Sequence, residues 1–149
     1  MKNRIFLDTS VFMYARGKEH PLKDPCGRII LQIGNKGDLG SLGSPVINTE
    51  VFQEILYRYF MIGKWETGIS VCRDIQALDI DILPVTANDI DRICDLFGKY
   101  ERKKEKIPPR DLIHAAVMLG NGINQIITAD RHFDSIKEII RISPEKIRL

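Results

Sequence analysis

The chain has little cysteine, and what it has follows no pattern. Cys26, Cys72 and Cys94 stand apart among 149 residues, with no C-x-x-C pair and no histidine at zinc spacing. This excludes a disulfide framework and a thiolate metal site, and points to a reducing compartment where the cysteines serve as small buried hydrophobes. Long apolar runs are also missing. No stretch reaches membrane-spanning length, and the N-terminus "MKNRIFLDTS" has charge without the apolar core of a signal peptide. A cytoplasmic protein without membrane association is expected. Neither sign of charge dominates: 22 Lys and Arg face 20 Asp and Glu, for a net +2. The total neither demands nor excludes a nucleic-acid partner, so the placement of the charges matters more than their sum. Repeats and linkers are absent as well, and the length predicts a single domain over residues 1–149 with a substantial core.

What is present alternates. "RIFLD" (4–8), "PVIN" (45–48), "IDILPV" (80–85), "NQIIT" (124–128) and "IIRIS" (139–143) are short runs rich in Ile and Val. Between them, "EVFQEILYRYFMIG" and "ANDIDRICDLFGKYE" space their apolar residues by three and four. Strands that are apolar throughout and alternate with helices predict a parallel sheet covered on both faces. The glycines of "GNKGDLGSLGSP" (34–45) follow a helix rather than a strand and lead into no helix, so they read as a connector and not a phosphate loop.

In open α/β sheets, sites form at the carboxyl ends of the strands. Asp8 ends the first run and Asp130 follows the fourth. The helix predicted from near Thr49 has Val51, Phe52, Ile55, Leu56 and Tyr59 as its apolar stripe. Glu50 and Glu54 share a face beside that stripe, and spacing alone does not choose between them. Asp111 lies in the first turn of "PPRDLIHAAVML", where Pro109 suits the helix start and Gly120 or Gly122 the stop. Ala115 and Ala116 let this helix lie close to the sheet. Its antiparallel return brings Asp111 to the strand end that carries Asp130. Each carboxylate has a plain alternative as a cap, a dipole partner or a turn former. Together they repel one another and are costly to bury unless a cation joins them. No Lys or Arg is placed to neutralise the group, with Arg110 and Arg131 the nearest in sequence. Oxygen ligands favour Mg²⁺ or Mn²⁺.

"LDTSVF", "INTEVFQEI", "RDLIHAAVML" and "IITADRHFD" resemble, in order and spacing, the four acidic motifs of the PIN-domain family (the PilT N-terminus type). The likeness runs from Asp8 to about Asp134. It implies a three-layer α/β/α Rossmann-like fold with a central parallel sheet of about five strands. It also implies a Mg²⁺- or Mn²⁺-dependent ribonuclease that cleaves RNA by metal-activated water, as in VapC-type toxins, which are dimers bound by antitoxins. Residue by residue, Asp8, Asp111 and Asp130 match the first, third and fourth motif acids. Glu54 matches the second better than Glu50, which stays as the alternative. Thr9 and Thr128 match hydroxyl positions that support the carboxylates. Asp134 is either an outer ligand or the cap of a helix over "SIKEII". Four clustered carboxyls without metal imply that at least one titrates high.

The chain exceeds a compact toxin in residues 16–45 and in "GKYERKKEKIPP". An RNA-processing nuclease without an antitoxin, or an RNA-binding module, is the alternative within the family. Outside it, receiver domains and haloacid-dehalogenase-like phosphatases need paired acids or D-x-D at the first strand, which "FLDTSVF" lacks. The basic run before Asp111 is either a solvated helix end or an RNA-binding patch built on Lys103, Lys104 and Arg110. His114 shares a helical face with Asp111 and reads as a core or supporting residue rather than a ligand. His20 and His132 read as surface residues. The helices of "VFQEILYRYFMIGKW" and "TGISVCRDIQALD" carry more apolar groups than a small sheet needs, so the surplus is either core or a face for a second copy or a partner's helix.

Overall fold

The computed structural model describes residues 3–149. In chain order the elements are β1 (Arg4–Leu7), α1 (Thr9–Arg16), α2 (Lys23–Lys36), β2 (Ser44–Asn48), α3 (Thr49–Met61), α4 (Trp65–Ala77), β3 (Asp81–Leu83), α5 (Asp89–Arg102), α6 (Pro109–Gly120), β4 (Gln125–Ile127) and β5 (Ile140–Ile142). Among the described residues the strands form one five-stranded sheet in the order β3-β2-β1-β4-β5. Every pairing is parallel. This is the α/β architecture expected, with helices flanking the sheet.

The order is what positions a site. From β1 the chain builds outward through β2 and β3, then crosses to build β4 and β5 on the other side. The reversal falls between β1 and β4, whose register pairs Leu7 with Ile127. Chain segments leaving these two strands diverge, so a crevice opens at their carboxyl ends. The backbone N–H of Asp8 still bonds to the carbonyl of Ile127 at 3.1 Å, which holds the two strand ends together.

Inner strands are covered on both sides: Ile5, Phe6, Leu7, Val46, Ile47, Ile126 and Ile127 are fully buried. The edge strands β3 and β5 are only three residues each, and short edges offer little template for pairing with another chain. Helix α6 packs tightly, with Ala115 and Ala116 fully buried. Gly120 ends it and Gly122 takes the left-handed turn beyond, at φ 71°. At the start of β2, Gly43 has φ 104°, and a Cβ there would lie 2.1 Å from the Asn3 carbonyl oxygen. Only glycine lets the chain enter β2 this close to β1.

Several expectations need correction. The stripe of α3 is narrower than predicted: Val51, Ile55 and Tyr59 are buried, Phe52 is half-buried, and Leu56 is 43% exposed. Helix α4 packs on α3 where Gly68 closely approaches the Tyr59 side chain. "SIKEII" forms no helix. A 3₁₀ turn spans Arg131–Ser135, Ile136 and Ile139 drop into the core, and the chain goes on directly to β5. Among the cysteines only Cys26 is a buried hydrophobe, since Cys72 is half-buried and Cys94 exposed.

Candidate active site at the strand reversal

A cleft of about 430 Å³ lies at this reversal, lined by Asp8, Thr9, Glu54, Asp111 and Asp130. Four elements deliver these side chains. Asp8 is the N-cap residue of α1, directly after β1, yet its carboxylate makes no capping bond. Its Oδ2 instead accepts from Ser10 Oγ and Thr128 Oγ1, each at 2.7 Å. Thr128 is fully buried and itself accepts from the Asp130 backbone N–H at 3.0 Å. One hydroxyl thus ties the end of β4 to the acid at the end of β1.

Asp130 does cap its element: its Oδ1 accepts the His132 N–H at 2.9 Å at the start of the 3₁₀ turn. The plain reading of Asp130 as a turn former is therefore true, and the residue lines the cleft as well. Asp111 is 97% buried in the first turn of α6, a figure that follows from its 3% exposure. Its Oδ2 is buried without a hydrogen-bond partner. Burial, with the charges of Asp130 and Asp8 added, pushes its carboxyl up to about 7, against lesser opposing pulls from His114 and Arg110. This is the high-titrating carboxyl that clustering implies.

Glu54 enters from α3 and accepts a hydrogen bond from His114 Nε2 at 2.5 Å. Glu50, one turn earlier, is half-buried but lies outside the lining of the cleft. Burial raises its carboxyl above the ordinary value, opposed by His114 and aided by Glu54. His114 is fully buried against the Phe6 ring, at 5.2 Å between centroids. Burial disfavours its cation, but the Glu54 hydrogen bond and the charges of Asp8, Glu54 and Asp111 outweigh that, so the net displacement is upward.

The two histidines read as surface residues are exposed, and both also border the site. His132 is not merely a surface residue: its Nδ1 lies 3.0 Å from Asp130 Oδ1 and 3.7 Å from Asp111 Oδ2. One donor atom from each of Asp111, Asp130 and His132 lies within 4.8 Å of the others, close enough to hold one metal ion. The signal was its place two residues beyond Asp130, where a cap folds the chain back. His20 also lines the cleft, its ring tilted against that of Tyr14 at 4.7 Å between centroids. The cleft also has more cations than foreseen, since Lys18, Arg58 and Arg110 all line it while Arg131 does not. Arg58 was legible as the residue one turn after Glu54 on the same helix face.

Other predicted residues fall elsewhere. Asp134 is outside the cleft lining and pairs with Arg141 at 2.8 and 3.2 Å, which holds its carboxyl below the ordinary value. Lys103 and Lys104 follow the end of α5, with Lys104 in a left-handed turn at φ 59°, and neither lines the cleft. Thr9 lines it with a buried hydroxyl that has no partner.

An all-parallel five-stranded sheet with acids gathered at its strand reversal defines an α/β protein of the doubly wound class. The PIN domain family model matches residues 5–139, and the chain belongs to that family. Ribonuclease VapC23 of Mycobacterium tuberculosis is 32% identical over 126 residues, 85% of this chain and 92% of the relative. Ribonuclease VapC13 of the same species is 29% identical over 139 residues, 93% of this chain and 99% of its own. Among solved structures, VapBC2 from Rickettsia felis bound to a promoter DNA fragment superposes with a TM-score of 0.72 at 21% identity. The match covers 94% of this chain and 98% of that one. The sarcin-ricin loop cleaving toxin VapC20 of Mycobacterium tuberculosis has a TM-score of 0.69 at 15% identity, over 89% of this chain and 94% of its own. These two likenesses concern the fold.

Proposed function

We propose that the whole chain, 1–149, is one divalent-metal-dependent endoribonuclease domain. We further propose that it acts as the toxin of a toxin–antitoxin pair, works in the cytoplasm and forms a homodimer. The observation that carries the reading is Asp111: a buried carboxylate oxygen without a partner, facing two other acids and pushed up to about 7. A buried acid left so unsatisfied is costly unless a cation completes it. The near relatives named ribonucleases direct the reading to RNA. The VapBC assemblies among the structural neighbours direct it to an antitoxin partner.

The donor set fits Mg²⁺ or Mn²⁺. Asp8, Asp111, Asp130 and Glu54 would hold one or two ions, and His132 is near enough to add a nitrogen. When bound, such an ion supplies a Lewis acid for phosphodiester hydrolysis and lowers the pKa of water. The chain's own residues do the rest. Ser10 and Thr128 donate their hydroxyl protons to Asp8 Oδ2 and so orient that carboxylate. Arg58, Arg110 and Lys18 on the cleft wall attract the RNA backbone and keep the acids from repelling it.

Asp8→Asn or Asp111→Asn should abolish cleavage of single-stranded RNA in Mn²⁺ while the far-UV circular dichroism stays native. Cleavage that survives either substitution, or that persists in EDTA, overturns the proposal.

A further inference from the structure

Asn48 is the last residue of β2 and the N-cap of α3, and it is fully buried. Its Oδ1 accepts the Val51 backbone N–H at 3.3 Å. That use of the oxygen fixes the orientation of the whole amide, because the reverse arrangement would set an NH₂ against a backbone N–H in a buried place. The Asn48 Nδ2, a donor only, therefore faces His114 Nδ1 at 3.0 Å. Nδ1 must accept, and a ring nitrogen that accepts carries no proton. The imidazole proton then sits on Nε2. There it points at Glu54 Oε1 at 2.5 Å, with Asp8 Oδ1 at 3.9 Å.

From this chain of donors we infer that His114 is a positioning residue: Asn48 locks it in the Nε2–H tautomer, so that it holds one oxygen of Glu54 and fixes that carboxylate beside the other acids. The inference rests on the nuclease reading for its consequence and on hydrogen-bond geometry alone for its substance. The carboxylates around the ring favour a second proton, but only Nδ1 could take it, and Nδ1 faces the Asn48 N–H. The geometry decides in favour of the neutral ring. A helix cap, whose ordinary task is to start α3, thereby dictates the tautomer of a residue 66 positions away. Glu54 in turn lies only six residues beyond the cap, on the helix that Asn48 starts, so cap and carboxylate move as one body.

The test uses the full metal-free chain labelled with ¹⁵N. Two-bond proton–nitrogen correlations should show His114 with Nε2 protonated and Nδ1 bare. Asn48→Asp keeps an oxygen for the Val51 N–H but turns the other toward Nδ1. It should therefore move a proton onto Nδ1 and weaken Mn²⁺ binding. His114→Phe fills the ring's space without the hydrogen bond and should weaken Mn²⁺ affinity by calorimetry about 10–100-fold. His114→Gln, which can keep one N–H toward Glu54, should recover part of that loss. A wild-type ring with its proton on Nδ1 overturns the inference, as does a His114→Phe protein that folds and binds Mn²⁺ like the wild type. Should His114→Phe not fold, the wild-type spectrum still decides. Failure of the nuclease reading looks different: Asp111→Asn would keep its cleavage while the tautomer stood as inferred.

Discussion

Asp111 sets the pH behaviour expected of the metal-free protein. Its carboxyl at about 7 stands above the ordinary 3.8, so between those values the folded protein keeps a proton that the unfolded chain has lost. Stability from this group is complete below the lower value and falls as pH rises through the upper one. Asp111→Asn removes the titration. In EDTA the variant should be more stable than the wild type at about pH 8, on the order of 2 kcal/mol, with the gap narrowing as pH falls below about 7 and closed near 3.8. Urea denaturation at the two pH values measures this, and a gap that does not change with pH would sink the idea. A bound cation should reverse the penalty, so wild-type Mn²⁺ affinity should climb with pH up to about 7. At this scale Asp8 and Asp130 were legible because each follows a strand, and Asp111 because it opens a helix. Glu54, in the second turn of α3, was chosen over Glu50 only by the motif it resembles. Lys18 was not legible, since nothing in the local sequence says that the cleft extends over it.

At the scale of elements, the all-parallel architecture made the strands easy to read. A strand buried on both faces is a plain apolar run, so "PVIN" and "NQIIT" lie within a residue or two of β2 and β4. The strand read at 139–143 forms as β5 over Ile140–Ile142, whereas the helix offered as one reading of "SIKEII" does not form, because Ile136 and Ile139 are buried from a loop. Leu56 was lost for a related reason, because the arc that α3 buries depends on how α4 crosses it. Helix α6 has the opposite character, since its fully buried Ala115 and Ala116 leave no slack against the sheet. Ala115→Leu should therefore cost about 1–3 kcal/mol by overpacking. Ala115 stands one turn after Asp111 on the same face, so the shift should reach the cleft and reduce RNA cleavage as well. Urea midpoints and cleavage rates check both effects, and a variant as stable as the wild type would show that α6 is not pressed to the sheet.

The whole molecule presents one more asymmetry, and it bears on assembly. Where α3 ends and α4 begins, Tyr57, Phe60, Met61, Ile62 and Trp65 are each between 55% and 69% exposed. Single exposed apolar side chains are ordinary, but five within nine residues form a face that solvent disfavours. No helix among the described residues is long and apolar enough to cross a membrane. A second groove, lined by Phe12, Ile30, Leu31, Ile75 and Leu78, lies between α1, α2 and α4. The proposed homodimer would use the corner as its seam. Phe60→Glu combined with Trp65→Glu changes only exposed side chains, so each should alter folding stability by no more than about 0.5 kcal/mol. The same pair places like charges face to face across a two-fold interface. Sedimentation velocity should find the wild type dimeric and the double variant monomeric, with unchanged circular dichroism. A double variant that still sediments as a dimer would move the interface elsewhere, and a monomeric wild type would leave the corner without a second copy to cover it.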